Sequence, residues 1–322
     1  MKRFRRFLYP PRLSIAGFLL FAAFIVYPQE QTLKLAVGYI PHIQFTPLYV
    51  GIEKGFYREE KINLNIEYGV GIDIFSLLAA GRIDVGLSDS DQLLVAGAKG
   101  LNLKAIFQYY QRYPVTIVAL ENKIRRPEDF AGKIIGTPEL FGTSYIGLRI
   151  FLEKYGLQET VKIQKIGYTQ IQSLLGNKVD GAVCFFMNEP LHLRERNVPV
   201  VQWDVKEFSD MVGVSFISSE KIIARKTGIL KGFVRATARA VAYTIQNPDE
   251  ACKIAGRFTG QRDTDLGNFP REVLDKTLTL FESAEGYGFL DEQKYQQSID
   301  ILFHLGLINR TFAAGRVLQD LR

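Results

Sequence analysis

The side chains best suited to hold a small molecule are grouped in five short segments, and these segments lack the patterns of an enzyme. The sequence contains no G-x-S-x-G elbow, no G-x-x-x-x-G-K-[ST] phosphate loop, no H-E-x-x-H pair and no G-x-G-x-x-G after a strand. Each segment instead follows a predicted strand or opens a predicted helix, where open α/β sheets place their ligand contacts. The chemistry indicated is stacking and hydrogen bonding, and no catalytic residue is predicted.

The first two segments combine an aromatic ring with hydrogen-bonding groups. Tyr39 ends a predicted strand and could stack on a planar ring, and the amide of Gln44 could read the edge of that ring. The alternative is that Tyr39 belongs to the core and Gln44 caps a helix. Asp89 and Asp91 lie at the start of a predicted helix, where one N-cap is enough. Because a second carboxylate exceeds that need, both are candidate acceptors for ligand N–H or O–H groups.

The third and fourth segments lie where the chain is expected to cross between lobes and where a helix opens. Gln108 and Tyr110 belong to a polar, aromatic strand end, and Tyr110 is a candidate for stacking, unless it only packs at an interface. Free amides and the positive dipole end at the helix start would attract an anion, a phosphate or a carbonyl oxygen, although an ordinary cap needs only one hydroxyl. The residues of this helix start are Phe141, Gly142, Thr143, Ser144 and Tyr145.

The fifth segment leaves a buried strand and offers a ring followed by two polar side chains. Phe186 could pack on a flat ligand, while Asn188 and Glu189 could pair with ring N–H and carbonyl groups. Since Glu189 precedes Pro190, we expect it to be extended rather than helical. A helix-capping role is the alternative for this segment.

The elements that carry these segments alternate between short apolar strands and amphipathic helices. Leu33–Ile40 and Ile134–Thr137 each begin such a cycle, Val212–Ser218 predicts a returning strand, and the last third of the chain has helical spacing, as in Ile229–Gln246. The pattern predicts an α/β fold with mainly parallel sheets flanked by helices. We expect two lobes, residues 31–118 with 215–322 and residues 119–214, and a ligand cleft between them.

Composition limits the remaining possibilities. The chain of 322 residues is 47% hydrophobic and carries a formal charge of +6, and four of its positive charges, those of Lys2, Arg3, Arg5 and Arg6, precede Pro10. The sequence contains no basic stripe interleaved with aromatic residues, so it does not indicate nucleic-acid binding. Three histidines and two cysteines lack metal-ligand spacing, so neither a metal site nor a cofactor is expected.

The N-terminal segment has the character of an export signal. Four cations precede Pro10 and Pro11, and the apolar run Leu13–Val26 follows, although no small-x-small cleavage site comes after it. We expect residues 1–30 to be a signal peptide or an uncleaved N-terminal membrane anchor. Neither cysteine lies where a lipid-modified cysteine would, so a lipoprotein anchor is excluded.

Together the five segments resemble the pyrimidine-precursor and riboflavin group of the type II periplasmic-binding-protein family, which is related to alkanesulfonate-binding and thiamine-pyrimidine-binding proteins. The resemblance covers residues 33–220 and is carried by GYIPHIQFTPLYVGIEKGFY, AGRIDVGLSDSDQLLVAGAKG, QYYQRYPV, RPEDFAGKIIGTPELFGTSYIGLRIFLEKYGL, IGYTQ and VDGAVCFFMNEP. It implies a two-lobed, periplasmic or extracytoplasmic solute-binding protein that works as a monomer with an ABC permease.

Within that group, the Gln-Tyr-Tyr-Gln-Arg-Tyr-Pro, Phe-Gly-Thr-Ser-Tyr and Asn-Glu-Pro stretches resemble the riboflavin-binding branch more than the formylaminopyrimidine branch. The resemblance therefore implies that the ligand is riboflavin, with a thiamine pyrimidine precursor as the alternative. The fungal pyrimidine synthases of the same fold have a CCCFC segment, whereas this chain has only Cys184 in that region. An enzyme of this kind is the less favoured interpretation.

Overall fold

The computed structural model describes residues 30–260 and 268–322, and these residues form two five-stranded sheets. The first sheet has the strand order β2-β1-β3-β10-β4 and the second the order β7-β6-β8-β5-β9. The strands are β1 (Gln31–Val37), β2 (Ile62–Tyr68), β3 (Val85–Asp89), β4 (Leu103–Gln108), β5 (Val115–Leu120), β6 (Ile134–Thr137), β7 (Lys162–Lys165), β8 (Gly181–Phe185), β9 (Val200–Asp204) and β10 (Val214–Ser219).

The α/β class is confirmed, but both sheets are mixed rather than mainly parallel. In the first sheet β1 runs parallel to β2 and β3, whereas β10 runs antiparallel to β3 and β4. In the second sheet β6 runs parallel to β7 and β8, whereas β5 runs antiparallel to β8 and β9. The antiparallel strands β5 and β10 are those by which the chain enters one sheet from the other, and their direction follows from that crossing.

Helices flank both sheets. The longest, α8, begins after Ser219, whose side chain accepts a hydrogen bond from the backbone of Ile222, and bends at Lys226. The helices of the described residues are α1 (Thr46–Glu53), α2 (Phe56–Glu59), α3 (Ile74–Ala79), α4 (Ser90–Ala98), α5 (Gly142–Tyr155), α6 (Gln170–Leu175), α7 (Glu189–Glu195), α8 (Glu220–Gln246), α9 (Pro248–Thr259), α10 (Asn268–Leu278) and α11 (Glu292–His304).

Two chain crossings, residues 109–114 and 205–213, connect the sheets. The first crossing is hydrogen-bonded to the start of β10, where the backbone amides of Tyr109 and Tyr110 donate to the carbonyl of Val214. The predicted lobe boundary at 118/119 is wrong by several residues, because it cuts through β5, which pairs along its length with β8 and β9. The return boundary at 214/215 likewise falls inside β10, which pairs from Val214 onward.

One local expectation is wrong and one strand was missed. Glu189 is not extended, because α7 begins there and places Pro190 in the first helical turn, where the missing amide hydrogen breaks no bond. Strand β9 was not predicted, since all five of its residues are half-buried and show no alternation. The expected export segment, residues 1–30, lies almost wholly outside the described residues. No described helix is long and apolar enough to cross a membrane.

Candidate ligand-binding cleft

The carboxyl ends of β1, β3, β6 and β8 surround a cavity of about 400 Å³ between the two sheets. In each sheet these strands belong to the parallel half, whose carboxyl ends are the usual place for a ligand in an open α/β sheet. Of the predicted contact residues, those that line this cleft are Tyr39, Gln44, Asp89, Tyr110, Phe141, Gly142, Thr143, Ser144, Asn188 and Glu189.

The floor of the cleft on the first sheet is a rigid pair of tyrosines. The rings of Tyr109 and Tyr110 lie 4.9 Å apart, and both rest edge-on against Phe281. Both hydroxyls donate to the backbone carbonyl of Gln44, at 3.1 Å and 3.3 Å. These contacts leave the two rings little freedom, so a ligand that packs on them finds a preformed surface.

The other aromatic side chains of the cleft, most of them in the second lobe, include two that are largely exposed. Phe141 and Tyr168 line the cleft with 69% and 68% of their surfaces exposed. Phe185 lines it from the end of β8, and Tyr39 from the end of β1. A flat ligand in the cleft would therefore have rings on both sides, and burial of the exposed rings would favour its binding.

Asp89 and Glu189 enter the cleft from opposite lobes at equivalent places, the ends of the third strand of each sheet. Burial and the nearby Asp91 carboxyl raise the pKa of Asp89 to about 7, against a smaller lowering by a hydrogen bond from Thr143. Burial also raises the pKa of Glu189, although its carboxylate accepts a 3.0 Å hydrogen bond from the amide of Phe185. Both carboxyls are thus kept in an environment that disfavours charge.

The two other acids of the cleft have their charge balanced locally. Asp73 caps α3 and accepts hydrogen bonds from the amide and the hydroxyl of Ser76. Glu139 forms an ion pair with Lys165 at 2.5 Å. Within the described part of the chain, no Lys, Arg or His lines the cleft.

Asp91, a predicted ligand contact, lies outside the cleft lining and holds the lobes together. It is fully buried and accepts hydrogen bonds from the hydroxyls of Tyr113 at 2.6 Å and Thr143 at 2.8 Å. Because Thr143 lies in the first turn of α5, the positive end of that helix already has a carboxylate beside it. The hydroxyl of Thr143 at the predicted anion site therefore donates to a carboxylate of the protein itself.

Gln108, another predicted contact, is buried beneath the crossing instead of lining the cleft. Its amide nitrogen donates to the carbonyls of Tyr110 and Val214, and its amide oxygen accepts from the hydroxyl of Tyr295 at 2.8 Å. An amide with every position used in this way fixes the crossing and has nothing left for a ligand.

Tyr145 and Phe186 also lie outside the cleft lining. Tyr145 is on the face of α5 where Arg149 donates to its hydroxyl. The ring of Phe186 packs under the ammonium group of Lys206, at 4.1 Å, in a separate pocket. Phe185, one residue earlier, faces the cleft instead, which is a direct effect of side-chain alternation at a strand end.

The cleft also contains residues that the sequence interpretation did not single out. Tyr168 follows β7 after a glycine, as Tyr39 follows β1 after Gly38, and this repeated Gly-Tyr pair was the available signal. The others offered no pattern of their own; they include Phe45, Phe75, Ser88, Gln92, Tyr109, Gln170 and Phe185.

The two candidate reactive groups near the cleft are chemically quiet. Burial, reinforced by Glu189, raises the pKa of the Cys184 thiol well above its usual range, so the thiol stays protonated. Burial lowers the pKa of His42 to about 4, and its ring accepts from the amide of Gln44 at 3.4 Å. His42 does not line the cleft.

Two α/β lobes joined by two crossings, with an aromatic cleft between them, define a two-lobed ligand-binding protein. Comparison with known families gives a more specific assignment: the chain belongs to the NMT1/THI5-like family, whose model matches residues 42–251.

Among its relatives, the riboflavin-binding protein RibY of Chloroflexus aurantiacus is 30% identical over 291 residues, covering 88% of this chain and 83% of that protein. A formylaminopyrimidine-binding protein of Halalkalibacterium halodurans is 26% identical, with 84% of each chain covered. A solved structure with a similar fold is the alkanesulfonate-binding protein SsuA of Xanthomonas axonopodis pv. citri bound to MOPS, with a TM-score of 0.70, 15% identity and coverage of 91% of this chain and 99% of that one.

Proposed function

We propose that this protein is the substrate-binding component of an ABC-type importer and that it captures riboflavin. The observation that carries the proposal is the cleft itself, a cavity of about 400 Å³ with aromatic rings on both walls and with the carboxyls of Asp89 and Glu189 entering from opposite lobes. That volume is within the range of pockets for drug-sized ligands, and it suits a tricyclic ring with a polyol chain better than a single pyrimidine ring.

The polar groups of the cleft match the edges of a flavin. Glu189 and Asn188 can accept and donate at the imide-like edge of the ring, and Asp89 can accept from hydroxyls of the side chain. The tilted pair Tyr109 and Tyr110 forms the floor of the cleft, and the exposed rings of Phe141 and Tyr168 offer faces for the ring. The similarity to a riboflavin-binding protein supports the same ligand.

Capture without chemistry is favoured over catalysis. Synthases of a pyrimidine phosphate are relatives at 27% identity or less, in Legionella pneumophila and in fungi. None of the described lining residues is a histidine or a lysine, and the one cysteine among them is held protonated. We therefore propose that the protein is not an enzyme.

The same proposal includes a partner and a location. One solved structure of similar fold is the ligand-binding component of an ABC-type import system from Staphylococcus aureus, and another is a periplasmic aliphatic sulphonate-binding protein from Escherichia coli. By analogy, we propose that this protein works as a monomer outside the cytoplasmic membrane and delivers its ligand to an ABC permease. In this proposal the lobes close on the ligand, and the permease recognises the closed form.

Flavin fluorescence tests the proposal directly. Residues 31–322 are titrated against riboflavin, whose emission should fall to a saturating plateau when the ring stacks on cleft tyrosines. Trp203 packs against Phe130 and Phe151 in the second lobe, so flavin emission is the appropriate signal rather than tryptophan emission.

Hydroxymethylpyrimidine and formylaminopyrimidine are titrated in parallel by calorimetry. Binding of a pyrimidine alone would assign the protein to thiamine-precursor uptake, the alternative that the formylaminopyrimidine-binding relative supports. If neither a flavin nor a pyrimidine bound, the proposal would be wrong.

A further inference from the structure

The charges around the cleft are unevenly distributed. Four carboxyl groups line it, those of Asp73, Asp89, Glu139 and Glu189, and none of its described lining residues is cationic. Two of the four are balanced by a helix start and by Lys165, as described above. Asp89 and Glu189 remain, and neither forms an ion pair with a described residue.

The start of α5, where the sequence predicted an anion site, has a carboxylate of the protein beside it. The first turn of α5 borders the cleft through Gly142, Thr143 and Ser144. The hydroxyl of Thr143 donates to Asp91, so a buried carboxylate lies at the positive end of this helix. A phosphate or sulfonate placed at the same end would meet that negative charge.

From this distribution we propose that Asp89 and Glu189 are specificity-determining residues that restrict the cleft to uncharged or cationic ligands. The proposal rests on the binding function proposed above and makes its ligand class narrower. The free vitamin or the free pyrimidine binds, and their phosphate esters do not. A phosphate ester outside the cell would then need hydrolysis before this protein could capture it.

The physical reason is that the two acids act differently on neutral and anionic ligands. A neutral ring donates N–H and O–H groups to both carboxylates, and such charge-assisted hydrogen bonds are among the stronger ones. A phosphate ester brings about two negative charges into the same cavity and offers the carboxylates no additional donor. Like charges in a partly buried site repel, and no described lining residue carries a positive charge to offset them.

The test compares riboflavin with its 5′-phosphate at pH 8 and low ionic strength, by fluorescence titration of the wild-type chain. We expect the phosphate to bind about 100-fold more weakly than riboflavin, because like-charge contacts at an interface are costly. The double variant Asp89→Asn, Glu189→Gln removes both charges at nearly constant shape. We expect it to bind riboflavin more weakly and to reduce the ratio to below about tenfold.

Glu250→Gln is the matched control, since it removes one carboxylate that lies on the surface and pairs with Lys54 far from the cleft lining. It should leave the ratio at the wild-type value. Equal affinity of the wild-type chain for riboflavin and its phosphate would overturn the inference while leaving the proposed function intact, and so would an unchanged ratio in the double variant.

A failure of the flavin proposal is distinguished by a second pair of ligands. If neither flavin binds, the same ratio is measured for hydroxymethylpyrimidine and its monophosphate. A preference of about 100-fold for the free pyrimidine would support the charge inference even though riboflavin is not the ligand. No binding of any of the four compounds would overturn both proposals.

Discussion

Glu189 combines two properties that stability alone does not require, a raised pKa and a position at the ligand cavity. Its carboxylate accepts a hydrogen bond from Phe185, but one such bond leaves further lone pairs free in the cleft. If Glu189 served only as a helix cap, its carboxylate would not contact a ligand. Removal of the side chain would then leave ligand affinity unchanged, whereas loss of a ligand contact would lower it.

We predict that Glu189→Ala weakens riboflavin binding by about 1–3 kcal/mol, because a ligand donor buried in the complex loses its acceptor. Fluorescence titration measures the change. Glu195→Ala is the control, since Glu195 ends the same helix on an exposed surface and should leave the affinity unchanged. Equal affinities of wild type and Glu189→Ala would reduce Glu189 to a structural residue.

The raised pKa of Asp89 leads to a second prediction, which concerns how the stability of the ligand-free protein depends on pH. Its pKa rises from 3.8 to about 7 in the folded chain, through burial and the charge of Asp91, with Tyr110 and Tyr113 as its other titratable neighbours. A carboxyl with a raised folded pKa binds its proton more tightly when folded. Its stabilising effect is therefore complete below pH 4 and is lost as the pH rises to about 7.

We predict that Asp89→Asn stabilises the ligand-free protein at pH 8 by about 1–3 kcal/mol, a figure reduced from the full shift because Asp89 is partly exposed. Urea denaturation at pH 5 and pH 8 measures this, and the variant should show a smaller loss of stability between the two. The same substitution should weaken riboflavin binding, because a residue that destabilises the free protein can be retained for its role in function. If the variant were less stable than the wild type at pH 8, the destabilising effect assigned to the charge of Asp89 would be contradicted.

At the scale of elements, the α4–α5 contact joins the lobes through one buried carboxylate. Asp91 on α4 accepts from Thr143 on α5 and from Tyr113 in the crossing. We predict that Thr143→Val destabilises the protein by about 1–3 kcal/mol, because a buried carboxylate loses one donor. Denaturation is compared with Ser144→Ala, whose hydroxyl faces the cleft and should contribute little to stability. Equal effects of the two substitutions would contradict the contact between lobes.

The two crossings pack so closely that one position excludes any side chain. A Cβ on Gly213 would lie 2.3 Å from the carbonyl oxygen of Tyr110 and 2.7 Å from that of Arg112. We predict that Gly213→Ala destabilises the protein by about 1–3 kcal/mol, because backbone cannot yield as a flexible side chain would. Gly228→Ala in α8 is the control, and it should be neutral or stabilise by up to about 1 kcal/mol, since nothing lies within 4 Å of its Cβ.

The elements also show how far the sequence could predict this protein. Periodicity located Ile134–Thr137 with the bounds that the structure has, because a buried strand followed by a loop leaves a clear apolar run. It did not predict which way a side chain points after a strand ends. Phe186 was chosen where Phe185 lines the cleft, and Gln108 was assigned to a ligand although four partners in the fold use its amide. Such choices depend on contacts distant in sequence.

At the scale of the whole molecule, most of the large apolar side chains that are exposed among the described residues flank the cleft. Ile40 and Val70 do so on the first lobe, and Leu140, Phe141 and Tyr168 on the second, each more than half exposed. Each of them lines the cleft or directly precedes or follows a residue that does. Closure of the lobes on a ligand would cover apolar surface from both sides, and this burial would favour the closed form.

This arrangement predicts a change of shape and of heat capacity together. Saturating riboflavin should reduce the radius of gyration measured by X-ray scattering, and calorimetry over a range of temperatures should give a negative ΔCp of binding. Tyr168→Ser should make that ΔCp less negative, because less apolar surface is covered when the lobes close. Lys178→Ala, on an exposed turn after α6, should leave it unchanged. Tight binding with an unchanged radius of gyration would mean that the cleft is already closed without ligand, and the exposed rings would then need another partner.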